Sequence, residues 1–492
     1  MPLEAYIIMR IFYVLGGLPM ECAMIFFIGP DFVKASVFNT EGTELLSAYE
    51  DIGLSIKHGC ITQVPDKWED AISKMIQNAV DSDSAIDIKY IAVTYIPGTM
   101  VCIDSSGLPV MDAIFPYDGR GRYEAHLYNK YNKKHKNRTD FPWTYNVIPK
   151  LLWIKYNRPD IYKKIFKVLT PDSYISYKLT GETAIDNYSA MQFGCDSNNF
   201  HYDGRLLDNF GLEKDIFPAI CKTGECTGMI AGVVKEKLGL KSEVKMLAVS
   251  SFILPLLLAS EDMDKNTILY DANSSSICFK YNSHKARLSG EIRKSLFRIE
   301  DKYIIIGNFE YMTYKWLKKY TKIDALKSDD YTPGSNGLIV VPYIIGDSLF
   351  QNFDIDAGII GMNTANCGRD ILAASYESQG YSLRKKIDIL TDCGLNIENI
   401  ILADDVKDSL KYNIISDITG KEIRISKECD LITRYAFESL FNKEHDLESE
   451  DEVITPDREK GIRYNVLFSL YKSAYNSLGD YCRFERKIQK KL

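Results

Sequence analysis

The sequence predicts an α/β protein made of two domains of related design. Three observations say so: the length of the chain, a hairpin opening that occurs twice, and the strand–helix alternation that follows each opening. At 492 residues the chain is too long for one hydrophobic core, and two domains of roughly 200–250 residues are expected. Hydrophobic residues make up 46% and charged residues 26%, an ordinary globular composition.

The first opening reads strand, turn, strand. Met24–Gly29 is apolar, Lys34–Phe38 is apolar and β-prone, and the turn residues Asn39–Gly42 lead into a third strand at Glu44–Tyr49. Trp68, Ile72, Met75, Ile76 and Ala79 recur at helical spacing and predict a helix over Lys67–Val80, followed by a buried-type strand at Tyr90–Tyr95. The second opening pairs Thr267–Tyr270 with Ile277–Tyr281 across a polar turn, with a further strand at Lys302–Gly307. Alternation continues through Gly337–Pro342, a helix over Asp370–Thr391, a strand at Asn399–Leu402 and a helix at Leu431–Phe441. Two halves that open alike imply a duplicated fold. The boundary is expected near 255–266, giving a first domain over 24–260 and a second over 261–492. Residues 443–457 are acidic and aperiodic and read as a surface loop, and Asn465–Leu478 reads as an amphipathic helix.

Residues 1–23 read as an extension preceding a domain that begins at Met24. The apolar run Ile11–Met20 is bracketed by Arg10 and Glu21 and is too short to span a bilayer, so no membrane partner is expected. The net charge of −7 gives no basic face for nucleic acid, and the basic tail from Arg483 to Lys491 reads as a solvated helix end. The 11 cysteines are scattered, and the close pair Cys221 and Cys226 has no second pair to complete a zinc site. Reduced thiols and a cytoplasmic location are the simple expectation.

One stretch carries a family resemblance. Leu151–Glu182, LLWIKYNRPDIYKKIFKVLTPDSYISYKLTGE, resembles the "K-L-x-W … P … D-Y-I … L-T-G-E" block of the FGGY carbohydrate kinases, and the xylulokinase-like branch fits best. Thr183–Asp186, Gly224–Gly228, the run GSNGLIVVPYIIGD at 334–347, Asp356–Gly361 and Glu377–Leu383 continue the likeness in order. The resemblance implies two actin-like, ribonuclease-H-like domains with an interdomain cleft. It places a small sugar or polyol mainly on the first domain, and ATP with Mg²⁺ mainly on the second.

The same resemblance shows which parts are missing. Phosphoryl transfer rests on positioning and on charge neutralisation. The family's first hairpin reads Asp-x-Gly-Thr-x-x-x-Lys, with the aspartate holding hydrated Mg²⁺. Here Gly29 and Lys34 are kept, but Phe27 stands at the aspartate and Pro30 at the threonine. A phenyl ring cannot ligate a cation that takes oxygen donors. Asp31 is the one displaced metal candidate, against the plainer reading of a solvated turn carboxylate. The family's general base falls at Ser251, and the chain has no carboxylate between Glu243 and Glu261. Serine has no useful basicity near neutral pH, and loss of a general base costs roughly 10²–10⁴ in rate.

The family's Gly-Thr-Ser-Gly phosphate turn is matched by Asp271–Ser276, where Ser274 and Ser275 still carry hydroxyls and amides. An ordinary polar hairpin turn is the competing reading. Gly358, Gly361 and Ala403 are the remaining nucleotide-side positions that the resemblance implies. At the adenosine loop Asp404 and Asp405 replace glycines, and two carboxylates beside a polyanion are unfavourable unless a cation such as Lys407 offsets them. On the sugar side, Asp118 and Arg120 match the family's Trp-x-Asp-x-Arg element. Pro97–Thr99 replaces the Met-His-Gly element, and Asp347–Phe350 replaces Glu-Arg-x-Pro.

Three readings follow. The chain is a kinase homologue without phosphoryl transfer, an active ATP-dependent kinase using displaced residues, or a structural partner of an active homologue in a homodimer or hetero-oligomer. A ring at the cleft floor from Phe252, with Leu254, would favour the first. A carboxylate of Asp31, Asp271 or Asp404 presented to sugar or Mg²⁺ would favour the second.

Overall fold

The computed structural model describes residues 10–11, 20–57, 59–135, 143–195, 200–261, 263–281, 296–299, 301–323, 326–327, 331–347, 355–404, 408–425, 430–441 and 452–489. The chain forms two compact units. Residues 1–258 and 432–445 make the first, and 259–431 with 446–492 make the second. The chain therefore returns to the first unit for one segment, which a single cut near 260 does not provide for.

The first unit is organised on a seven-stranded sheet. Its strands are β1 (Arg10–Ile11), β2 (Met20–Ile28), β3 (Phe32–Asn39), β4 (Glu44–Asp51), β5 (Ile86–Tyr95), β6 (Cys226–Met229) and β7 (Lys245–Leu247), in the order β1-β4-β3-β2-β5-β7-β6. The β2–β3 and β3–β4 pairs are antiparallel, whereas β5 runs parallel to both β2 and β7. β2 is apolar and buried from Cys22 to Ile28 because it lies at the centre of the sheet with both faces covered. One face carries α1 (Pro65–Ser82), which starts on a proline and buries Trp68, Ile72, Met75, Ile76 and Ala79. The other face, at Ala23, Ile25 and Phe38, packs on Ala436 and Phe437 of the helix Leu431–Phe441, with Phe38 and Phe437 stacked at 4.8 Å. Helices α2 (Val147–Asn157), α3 (Pro171–Thr180), α4 (Asn187–Ala190) and α5 (Ile253–Ala259) complete the elements that bear on the site.

The second unit repeats the plan. Strands β8 (Thr267–Asp271), β9 (Ser276–Lys280), β10 (Leu296–Ile299), β11 (Lys302–Ile305), β12 (Asn399–Ala403), β13 (Glu422–Ile425) and β14 (Glu452–Ile454) lie in the order β10-β11-β9-β8-β12-β13-β14. Again an antiparallel hairpin, β8–β9, is followed by parallel neighbours β12 and β13. Its helices include α6 (Tyr311–Thr321), α7 (Gly368–Asp392), α8 (Ser409–Thr419) and α9 (Arg458–Gln489). The duplication read from two hairpins is thus present in the five central strands of each sheet, the core of the actin-like, ribonuclease-H-like architecture, while the edge strands are added at different points of the chain.

Three expectations are corrected. β2 begins at Met20, not Met24, and Arg10–Ile11 pairs with β4, so residues assigned to an extension are built into the sheet. Part of the stretch read as a loop at 443–457 is β14, paired antiparallel to β13; its one acidic residue, Glu452, sits at a sheet edge, where charge is common. The terminal helix runs over 32 residues rather than Asn465–Leu478, because its amphipathic signal is blurred by apolar residues on a second face. Among the described residues no helix is long and apolar enough to cross a membrane, and the ten described cysteines are free thiols.

Candidate functional site

In the first unit, the β2–β3 turn and the segment after β7 meet. Phe27, at the end of β2, is buried, and its ring centroid lies 6.1 Å from that of Phe252 and 5.6 Å from that of Phe32. Phe32 in turn stacks on Tyr49 at 5.1 Å. The two positions where the resemblance calls for carboxylates are therefore neighbours in space, and an aromatic cluster joins them. Gly29 is retained for a steric reason: a Cβ there would stand 2.5 Å from the Phe32 ring. The turn's polar atoms are spoken for. Gly29 N–H donates to Phe32 O at 2.9 Å, and the buried Gln63 amide donates to Gly29 O at 2.8 Å and Pro30 O at 2.6 Å. Asp31 is half-buried and its carbonyl accepts from the amides of Ile52 and Gly53. Lys34 lies in β3, in register with Phe27 on one side and Tyr49 on the other.

Ser251 is buried, and its N–H donates to Ser189 Oγ at 3.0 Å. Behind it lie two carboxylates that sequence reasoning passed over. Asp186 caps α4, accepting from Ser189 N at 2.7 Å, Tyr188 N at 3.3 Å and Thr223 Oγ1 at 2.8 Å. Asp172, in the first turn of α3, is buried with Oδ1 lacking a hydrogen-bond partner. Burial pushes its carboxyl up to about 8, the neighbouring Asp186 charge adding to the rise and hydrogen bonds from Thr170 and Ser173 opposing it. Both aspartates fall in segments quoted above only as family markers. Their type was visible, but their burial was not.

Around Pro97–Thr99, the Gln192 side chain accepts from Gly98 N–H and donates to Tyr95 OH at 2.9 Å. Gly98 is tightly held: φ is +79° and a Cβ would lie 2.5 Å from Tyr145 Cα. Asp118 and Arg120 find each other. Arg120 donates from N and Nε to Asp118 Oδ1 at 2.9 and 2.8 Å and from Nη2 to Oδ2 at 2.7 Å, while Ile61 N–H also donates to Oδ2 at 2.7 Å. The Arg120 guanidinium rests 5.1 Å from the Trp153 ring centroid. Asp118 is fully buried, so this bidentate pair is built into a structural turn. Nearby, Lys150 is buried with its ammonium on the carbonyls of Thr144 and Asn146; burial lowers it to about 7, against the Asp118 charge that raises it.

In the second unit the β8–β9 turn is closed on itself. Asp271 accepts from Asn273 N at 3.3 Å, Ser274 N at 3.0 Å and Ser274 Oγ, and Ser276 N–H donates to Ser274 Oγ at 3.3 Å. Burial raises Asp271 to about 6, with the Asp404 charge contributing and its hydrogen bonds opposing. Ser275 adopts φ +57°, a left-handed backbone that a non-glycine residue holds only under constraint. The constraint is visible. Lys386 Nζ donates to Ser275 O at 2.9 Å, and the buried Lys386 pairs with the buried Glu310 at 3.0 Å. Ser382 Oγ also donates to Glu310.

Gly307 lies directly against this turn, where a Cβ would come within 2.2 Å of Ser275 C and O. Gly307→Ala is therefore expected to destabilise the second unit by about 3 kcal/mol, the upper end for overpacking, read as a lowered urea midpoint at unchanged m-value. An unchanged midpoint would contradict the close packing.

Ala403 is a buried strand residue in register with Asp271. The charge of Asp404 is met by Lys411, in the first turn of α8, whereas Asp405 and Lys407 lie outside the described residues. Asp347 pairs with Lys385 at 3.1 Å and accepts from Tyr475 OH at 2.8 Å; Ser348 to Phe350 also fall outside. Gly358 opens, and Gly361 directly follows, the second strand of a separate ribbon, Ile339–Val341 with Gly358–Ile360. There their missing side chains make room for Leu478 and for Gly337 O.

Does this donor set fit Mg²⁺ and a nucleotide phosphate? Mg²⁺ takes oxygen ligands in octahedral array. The implied ligand position is the buried phenyl ring of Phe27, which offers no oxygen donor. The amides of Asn273, Ser274 and Ser276 are bonded within their own turn. The residues present do not fit either group.

Residues 23–251 match the family model described as the FGGY family of carbohydrate kinases, N-terminal domain. The chain is 23% identical to a xylulose kinase of Staphylococcus xylosus over 91% of its own length and 98% of the relative's. It is 21% identical to a xylulose kinase of Bacillus subtilis, covering 92% and 96%. In structure it resembles ligand-bound xylulose kinase from Lactobacillus acidophilus, with a TM-score of 0.72, 18% identity, and coverage of 93% of this chain and 98% of that one. It also resembles Plasmodium falciparum glycerol kinase with ADP, with a TM-score of 0.69, 18% identity, and coverage of 94% and 99%.

Proposed function

Because the chain belongs to the FGGY family of carbohydrate kinases and is similar to its xylulose kinases, we propose that it is a homologue in which phosphoryl transfer from ATP has been lost. The observation that carries this reading is the contact between Phe27 and Phe252. The implied Mg²⁺ ligand is a ring, the implied base is Ser251 beside a ring, and the two rings pack together in a buried cluster. Restoring one carboxylate would place a charge against phenyl faces rather than rebuild a site.

Two of the displaced carboxylates are already engaged. Asp271 is held within its own turn, and Asp404 is neutralised by Lys411. Burial pushes the Asp172 carboxyl up to about 8 and keeps it away from an exposed hydroxyl. A small sugar or polyol remains the ligand class that the similarity to xylulose kinases suggests, with the cytoplasm as its setting.

The test is ADP release from Mg·ATP by the purified chain, against pentuloses, hexuloses, polyols and sugar acids. No sugar-dependent turnover is expected, either from the native chain or from Ser251→Asp alone. Sugar-dependent turnover above about 1 s⁻¹, inside the ordinary kinase range, would overturn the reading.

A further inference from the structure

Within the second unit, α7 and α9 meet where the Tyr381 ring stacks on those of Phe468 and Tyr471, at 6.0 and 5.0 Å between centroids. Beyond that contact a groove of about 650 Å³ opens between the last two turns of α7 and the middle of α9. Its volume falls in the range of small-molecule sites. No described residue of the β8–β9 turn lines it.

The groove is braced at its base. Lys385 Nζ pairs with Asp347 Oδ2 at 3.1 Å and lies 3.5 Å from the Tyr475 ring centroid, and Tyr475 OH donates to the same Oδ2 at 2.8 Å. That clasp and the stacked rings fix the spacing of the two helices. The floor, made of Phe468, Tyr471 and Tyr475, is therefore aromatic and preformed.

The two walls carry opposite charge. On the α7 side stand Asp388 and Asp392, one turn apart, a spacing at which like charges repel. Neither carboxylate makes a hydrogen bond or ion pair with the described residues. On the α9 side stand Lys472, 4.8 Å from the Phe468 ring centroid, and Arg483, whose guanidinium reaches Asp480 at 2.5 Å. Burial holds the Asp388 carboxyl above its ordinary value and the Asp392 charge adds to the rise, while Arg384, Lys472 and Lys421 oppose it. Lys472 thus acts on Asp388 across the groove without pairing with it. Opposite charges that face each other over a preformed gap suit a ligand that carries both.

We propose that this groove binds a small zwitterion with an apolar body, an α-amino acid of the phenylalanine kind. Its ammonium would meet Asp388 and Asp392, its carboxylate Lys472, and its ring the faces of Tyr471 and Tyr475. The inference does not depend on whether the chain transfers phosphate.

Titration of the full native chain with L-phenylalanine, followed by saturation-transfer NMR, is expected to give a Kd of about 1 mM, ordinary for a ligand of this size. Three truncated compounds dissect the contact: 2-phenylethylamine lacks the carboxylate, 3-phenylpropionate lacks the ammonium, and glycine lacks the ring. Each should bind at least about tenfold more weakly, the loss of one charged hydrogen bond or one ring contact. Asp388→Asn with Asp392→Asn, and separately Lys472→Gln, should each weaken L-phenylalanine about tenfold while leaving the circular dichroism unchanged, since all three side chains are exposed. No binding up to about 20 mM, well above the expected constant, would overturn the proposal. So would a truncated compound that binds as tightly as L-phenylalanine, or variants that bind it as the native chain does.

Discussion

Lys386→Met destabilises the second unit by about 3–5 kcal/mol, the cost of stranding one member of a buried ion pair. Lys386 and Glu310 are both essentially without solvent contact and lie 3.0 Å apart. Removing the ammonium leaves a carboxylate whose remaining partner is the Ser382 hydroxyl, and whose Oε2 already lacks one. The variant also frees Ser275 O, so the left-handed turn at Ser275 loses its restraint. Two terms then add, and the thermal or urea midpoint of the second unit should fall steeply. Pairing Lys386→Met with Glu310→Gln is expected to recover part of the loss, because no charge remains buried. If the single and double variants were equally unstable, the loss would come from packing rather than from the stranded charge. A single variant as stable as the parent would show that the pair does not hold the turn.

Asp172→Asn flattens the dependence of the first unit's stability on pH. The sign follows from the direction of the shift. The folded carboxyl binds its proton up to about 8, whereas the unfolded one releases it near the ordinary 3.8. Between those values the folded state holds more protons, so stability falls as pH rises through that window and is level above it. A displacement of this size corresponds to at most on the order of 5 kcal/mol, and relaxation of the site trims it. The groups that face the carboxyl are Asp186, Tyr95, Thr170 and Ser173, and of these the Asp186 charge drives the shift further. Asparagine keeps an acceptor for Ser173 and Thr170 and carries no charge. Urea unfolding at pH 5 and at pH 8.5 should show the native chain losing about 2–4 kcal/mol more than the variant over that interval. Parallel curves would mean that Asp172 is ionised in the fold.

How much of this was legible in the sequence depends on what each feature needs in order to be seen. The sheets were legible because periodicity and turn residues are local: both hairpins, the helix carrying Trp68 to Ala79 and the strand ending at Tyr95 are all present, although β2 and the Tyr95 strand each start four residues earlier than the pattern put them. The loss of catalytic side chains was legible too, because substitution of a carboxylate by Phe27 or Ser251 needs only alignment with a motif. What the substitutes do was not. That Phe27 reaches Phe252, that Gln63 clasps the Gly29 turn, or that Lys411 answers Asp404 depends on residues brought together across tens of positions or across a strand–helix connection. Asp118 and Arg120 show the opposite limit. The resemblance implied a sugar-binding role for them, while spacing alone pointed to a turn pair; in the fold the two residues satisfy each other and the Ile61 amide, a pairing that needs the folded geometry to be seen.

The return of residues 432–445 to the first unit has a consequence for synthesis on the ribosome. The outer face of β2 and β3, at Ala23, Ile25 and Phe38, is covered by Ala436 and Phe437. Almost all of the second unit must therefore leave the exit tunnel before the first can close its own core. The nascent first unit waits with an apolar sheet face open, and during that interval it is a natural client for a chaperone. A fragment ending near Leu258 would keep that face open permanently.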